Sequence, residues 1–352
     1  MRRLVLLGWL LTTAAWAQAP PSAFAQCDDA ITAAVRADRD LLRDADVALY
    51  RAKAAGKNCF EMFRPEMETE VRYRYELEFD LHSALDNDEF HLLYQPIYNV
   101  ADLSLVGVEA LIRWQHPIRG LVQPDDFIPL LEANGRIVEV GRWVLREACR
   151  QLKAWPAQHL GAVTLKMSVN VSGRQLERDG ILDDVARALT MSGIDPGQLT
   201  LEITETALMK DIGRAARRLH ELKTLGVQIS IDDFGTGYSS LAYLQQFPID
   251  CLKIDRAFVR AIATSPESDA LIRTFVRLGK DLGLTTLAEG VETISQLEYL
   301  REQTVTHAQG FLLARPVSAE AVEEQILHQH NNLLIGLSPR PLLSGGGDRL
   351  GR

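Results

Sequence analysis

The chain has 352 residues, 47% apolar and 24% charged, a balance that suits a globular protein and excludes a fibrous or largely disordered one. Its formal net charge of −9 argues against broad electrostatic binding to DNA or RNA, which relies on Lys and Arg neutralising phosphates. Its four cysteines, Cys27, Cys59, Cys149 and Cys251, form no C-x-x-C pair, so neither a structural zinc nor a redox motif is expected.

In chain order, residues 1–26 open with MRRLVLLGWLLTTAAWAQA. Two arginines, an apolar run and a small-residue A-W-A stop make this a signal-peptide-like or anchor segment. The run is short and broken by Thr, which weighs against a membrane span. Residues 27–64 include RDADVALYRAKAAGKNCFEMF, which reads as a helix with Gly56 as its left-handed cap, followed by a brief strand. Over 65–87, Met67, Val71, Leu77, Leu81 and Leu85 recur at helical spacing and predict an amphipathic linker helix. At the other end, 331–352 is rich in Gly, Pro and Ser without periodicity and is expected to be disordered.

The main domain spans 75–330. HLLYQPIYNV and LSLVGVEALIRW are separated by a short polar turn, which predicts an antiparallel first pair. Two helices follow, split near Asn134-Gly135. From VTLKMSVNVS to HAQGFLLARP, strand-like and helix-like runs alternate, as parallel strands joined by right-handed crossovers do. The strand-like runs end in, or lead into, polar side chains: Glu109, Asn170, Glu202, Asp232 with Asp233, Lys253, Glu289 and Gln309. In a β/α barrel such ends converge on one face, so closure is favoured over an open sheet.

The residue types define a chemistry. Clustered oxygen-bearing side chains recruit divalent cations, the ions that can activate a water and neutralise charge at a phosphate. Glu109, Asn170, Glu202, Asp232 and Asp233 offer the oxygen donors that hard ions prefer. Bound cations would also reverse the local negative sign and attract a phosphate ligand. Any single carboxylate is ordinarily a surface group, and Lys253 alone would ordinarily be half of an ion pair. Their joint recurrence at strand ends is what points to a site. Asp232 and Asp233 are adjacent, so both face the same ions only if the strand turns there, into FGTG.

EALIRW at 109–114, SVNVSGRQL at 168–176, LEITET at 201–206, IDDFGTGYSSL at 231–241, LKID at 252–255, AEGVE at 288–292 and QGFLLARP at 309–316 stand in the order found in one family. Through them the chain resembles the EAL-domain cyclic di-GMP phosphodiesterases. The resemblance implies an α/β fold, a modified TIM-type (β/α)8 barrel with one antiparallel strand, that hydrolyses cyclic di-GMP to linear pGpG with two Mg²⁺ or Mn²⁺ ions. It implies metal ligands Glu109, Asn170, Glu202, Asp232, Asp233 and Gln309, with Asp232 bridging the ions. It gives Lys253, Glu289 and Glu292 catalytic roles, Lys253 orienting the attacking water and Glu289 serving as an acid or general base. Arg113 would grip a substrate phosphate and Gln95 would contact the nucleotide. Glu205 would anchor the DFGTGYSSL loop, which in the family couples the site to a homodimer interface through the barrel.

Residues 27–64 resemble the tail of a GGDEF diguanylate cyclase domain, without the G-G-[DE]-E-F signature, so no cyclase role follows. A cyclic di-GMP receptor that binds without hydrolysis is the rival reading, and the filled ligand positions count against it. The expected location is cytoplasmic, or tethered to the inner membrane through the N-terminus with the barrel in the cytoplasm.

Overall fold

A computed structural model of the chain describes residues 41, 44, 45, 62–155, 164–235 and 244–334. The signal-like segment, nearly all of the cyclase-like segment and residues 236–243 lie outside the described residues. Residues 1–80 and 81–352 form two compact units. In the first, helix α1 (Pro65–Asp80) buries Met67 and Val71, with Phe63 packed on them. The helix predicted over 65–87 therefore ends at Asp80, and turns follow up to Asp88, whose φ of 55° is left-handed.

The second unit holds nine strands: β1 (Phe90–Asn99), β2 (Leu105–His116), β3 (Gly120–Val122), β4 (Lys166–Asn170), β5 (Leu199–Thr204), β6 (Gln228–Phe234), β7 (Cys251–Ile254), β8 (Thr285–Ala288) and β9 (His307–Ala308). Their order is β1-β9-β8-β7-β6-β5-β4-β2-β3, and β1 also pairs with β2. Eight strands thus close into a ring, with β3 outside it. β1 runs antiparallel to both its neighbours, while β2 and β4 through β9 are parallel. The predicted barrel with one antiparallel strand is the architecture found.

β2 outruns the ring. Its residues 107–110 pair with β4, whereas Trp114 to His116 pair with β3 in a hairpin that projects beyond the barrel. That extension is fixed by Trp114, which stacks against Phe90 and Phe127 at centroid distances of 6.0 and 5.7 Å and donates its indole N–H to Glu89 at 2.8 Å. Glu109 consequently lies inside β2, in register with Ser168, not at the strand's end as the sequence pattern suggests, and its side chain reaches Asn170 at the end of β4. The short β3 carries only three residues, too few for a periodicity to be read.

Helices α2 (Pro124–Asn134) and α3 (Ile137–Ala154) divide where expected, at Gly135, whose φ of 83° closes the first helix by a left-handed turn. On the strand-end face, α4 (Gly173–Glu177) starts three residues after Asn170, set by a capping box between Ser172 and Gln175. The outer layer continues with α5 (Ile181–Ser192), α6 (Glu205–Met209), α7 (Ile212–Thr224), α8 (Arg256–Arg260), α9 (Pro266–Leu282), α10 (Ile294–Glu302) and α11 (Ala319–Leu334). α11 runs four residues into the stretch expected to be disordered. No helix among the described residues is long and apolar enough to cross a membrane.

Candidate active site

The pleat explains how the strands build the site. Successive inward side chains lie two residues apart along a strand. A lower layer of Ser168, Thr200, Ser230, Cys251 and His307 lines a cavity of about 240 Å³ at the strands' starting ends. One step up on the same strands stand Asn170, Glu202, Asp232, Lys253 and Gln309, with Glu109 and Glu289 beside them.

Lys253, 1% exposed, is the hub. Its Nζ lies 2.6 Å from Glu289 Oε1, 2.7 Å from Glu202 Oε2, 3.1 Å from Asp232 Oδ1 and 3.8 Å from Glu109 Oε2. Burial alone would lower its pKa, but the carboxylates around it hold the ammonium charged and push the value well above the ordinary one. The acids feel the opposite balance. Burial raises Glu202 well above the carboxylate range and brings Glu289 to about 8, opposed by Lys253 and reinforced by neighbouring acids.

Two amides bracket Glu109. Asn170 Nδ2 donates to its Oε1 at 2.7 Å, and Gln309 Nε2 donates to its Oε2 at 2.8 Å and to Gln95 Oε1 at 3.0 Å. Gln95 in turn donates to the Ala314 carbonyl at 3.2 Å, so both ends of its buried amide are engaged within the protein. Gln309 is held by an unusually close approach: a Cβ on Gly310 would lie 2.2 Å from the backbone N and O of Val291.

The adjacent aspartates face the cluster through a bulge. Ile231 pairs with Leu252 and Phe234 with Ile254, leaving Asp232 and Asp233 opposite the single residue Lys253. Asp233 has φ 53°. The extra residue rotates both carboxylates toward one side within the strand, so the expected turn is a β-bulge and comes before FGTG, not at it. Asp233 is raised to about 6 by burial first, then by the charge of Asp232 and a hydrogen bond with Asp255. Asp255 was not singled out by the sequence pattern, yet it stands two residues after Lys253 on the same pleat face, a signal that could have found it. Beyond the bulge, the Gly235 N–H donates to Glu205 Oε2 at 2.9 Å, and Glu205 is only 2% exposed. This ties down the start of the DFGTGYSSL loop.

Glu292 is different. It is exposed, and no described side-chain contact links it to the cluster. β8 has ended at Ala288 and Gly290, with φ 67°, redirects the chain. Arg113 is half-buried on the wall of a cleft of about 520 Å³ that also touches Asn170, Asp232 and Asp233. Its Nη1 donates to the Ile112 carbonyl at 2.9 Å.

The donor set fits divalent metal. Five carboxylates, Glu109, Glu202, Asp232, Asp233 and Glu289, face one lysine, and buried negative charge in such excess needs further cations. Asp232, Asp233 and Glu289 offer oxygens all within 4.8 Å of one another. Gln309 Oε1 is buried with no hydrogen-bond partner, a ready neutral oxygen donor. Such a set suits a hard, oxygen-seeking ion.

The bifunctional diguanylate cyclase/cyclic di-GMP phosphodiesterase MucR of Pseudomonas aeruginosa is 42% identical over 281 residues, 80% of this chain and 41% of that protein. The cyclic di-GMP phosphodiesterase NbdA of the same organism is 42% identical over 286 residues, 81% of this chain and 36% of its own. The chain therefore spans well under half the length of these curated relatives. A solved structure of the MucR phosphodiesterase in complex with cyclic di-GMP superposes with a TM-score of 0.67 at 43% identity, covering 70% of this chain and 99% of that one. The sequence pattern that defines the EAL domain matches residues 79–316, and the chain belongs to the EAL domain family.

Proposed function

We propose that this chain hydrolyses cyclic di-GMP to linear pGpG with two Mg²⁺ or Mn²⁺ ions. The observation that carries the reading is the buried cluster in which Lys253 touches Glu202, Asp232 and Glu289 beside a cleft large enough for a nucleotide. Two relatives 42% identical to this chain carry the activity in their names.

Glu109, Asn170, Glu202, Asp232, Asp233 and Gln309 would hold the ions. The ions would supply an activated water and neutralise charge on the attacked phosphate. Asn170 and Gln309 fix the Glu109 carboxylate by donating to its two oxygens, so its orientation is set in advance. Lys253 holds Glu202, Asp232 and Glu289 in register, and through them would position the activated water. Glu289, 2.6 Å from Lys253 in the same cluster, would accept a proton from the activated water. Arg113, on the cleft wall, would take the second phosphate through its guanidinium fork. Gln95 acts through Gln309 in this geometry. Glu292 has no part that the described contacts support.

Purified protein with Mg²⁺ or Mn²⁺ should convert cyclic di-GMP to pGpG on chromatography, and Glu109→Ala or Asp232→Asn should abolish turnover. Tight binding without product would favour the silent receptor, and absence of binding would sink both readings. The proposal extends to a homodimer through the barrel, testable by light scattering. It also places the barrel in the cytoplasm, with possible membrane association through the N-terminus, testable by a C-terminal reporter active only outside the cytoplasm.

A further inference from the structure

Next to the cleft lies a basic hollow that the proposed chemistry leaves unused. α4 follows directly on the β4 end that carries Asn170, and α6 follows on β5, so both sit on the strand-end face. Arg174, Arg178, Lys210 and Arg214 line a surface hollow of about 560 Å³ there, together with Gly135, Val138 and Glu177. All four cations are exposed.

These charges are largely uncompensated. Glu177 is the lining's single carboxylate, and its carbonyl accepts one Arg214 N–H. Asp211, close by, caps the N-terminus of α7, accepting the Arg214 backbone N–H at 3.0 Å, and offsets part of the positive charge. The neighbouring Arg218 is paired with Asp179 and Glu221, whereas among the described residues none of the four rim cations forms an ion pair. The hollow also adjoins the cleft: a Cβ at Gly173, which lines the cleft wall, would stand 3.8 Å from Lys210 Nζ.

The placement matters because the chain carries −9 overall and the cluster at the cleft's end holds five carboxylates against one lysine. A dianionic ligand approaching a chain with this net charge is drawn first to where exposed cations are concentrated. Fields of this kind act over about a Debye length, roughly 8 to 10 Å at moderate salt, and raise association rates by about 10- to 1,000-fold. We infer that Arg174, Arg178, Lys210 and Arg214 form an encounter site that gathers the cyclic dinucleotide and delivers it to the cleft. This rests on the reading of the cleft as a cyclic di-GMP site.

Stopped-flow association of a fluorescent cyclic di-GMP with the full chain in Mg²⁺ tests it across ionic strengths from about 0.02 to 0.5 M. The variant Arg174→Gln/Arg178→Gln/Lys210→Gln/Arg214→Gln should associate about tenfold more slowly at the lowest salt and within about twofold of wild type at the highest. Its dissociation rate should not change. Arg174→Lys/Arg178→Lys/Arg214→Lys should keep the wild-type salt dependence, as should Lys153→Gln/Lys280→Gln, which removes two cations from the last turns of α3 and α9. An equal loss at every ionic strength, or none, would overturn the inference while leaving the proposed function intact. A wild type that binds no nucleotide would overturn both.

Discussion

Lys253 carries the cluster's balance. Its ammonium lies within 3.1 Å of three carboxylates, and each of them is stabilised by a charge that no other described side chain supplies. Breaking a buried ion pair from one side costs about 3 to 5 kcal/mol because the partner's charge is stranded. Lys253→Met should therefore lower the urea midpoint by several tenths of a molar or more in EDTA, and Mg²⁺ should restore a larger share of stability to the variant than it adds to wild type. Equal midpoints would show that the carboxylates are balanced by something other than Lys253. Gly310 makes a sharper case, since a methyl there meets Val291 backbone atoms at 2.2 Å, which cannot rotate away. Gly310→Ala should cost about 3 kcal/mol or abolish soluble expression. Gly180→Ala, at φ −81° with open space around it, should change stability by only a few tenths of a kcal/mol. A Gly310→Ala protein as stable as Gly180→Ala would refute the close approach.

At the scale of an element, β6 shows how the site was partly readable. The run QISIDDF alternates apolar and polar residues up to Asp232, so the strand and its inward carboxylate follow from the pattern. The bulge does not, because it arises from the pairing of β6 with β7, and register between distant strands leaves no local trace. β3 was hidden instead by its three-residue length, and Glu292 shares a motif with Glu289 although Gly290 redirects the chain between them. Glu205 holds the far side of the bulge by accepting the Gly235 N–H. Removing that acceptor strands a buried donor at a cost of about 1 to 3 kcal/mol. It also frees the segment that aims Asp232 and Asp233. Glu205→Ala should weaken Mn²⁺ binding, read by electron paramagnetic resonance, by about 10- to 100-fold. Glu205→Gln retains an acceptor and should lose much less. Equal affinities for Ala and wild type would mean that the bulge holds its shape without this bond.

Across the whole molecule, closure is what the sequence patterns supported least directly and what the site needs most. Alternation of strands and helices is equally compatible with an open sheet; only the number of polar strand ends argued for a ring, and the β1 to β2 and β1 to β9 pairings complete it. A closed ring has no edge strand to peel away, so its two mouths should open together. The two described cysteines can report this. Cys149 is buried on α3, and burial pushes its thiol up to about 12; Cys251 begins β7 in the lower layer, and burial raises its thiol as well. Since the thiolate is the reacting species, buried Cys149 should be inert toward an aromatic disulfide reagent at pH 8 in the native state, and half-buried Cys251 should react far more slowly than a free thiol. In a Cys27→Ser/Cys59→Ser background, both should reach free-thiol reactivity over the same urea range in which helical circular dichroism is lost. Free-thiol reactivity at Cys251 well below that range would show the lower mouth opening by itself, and the ring would then be a weaker frame for the cluster one pleat above it.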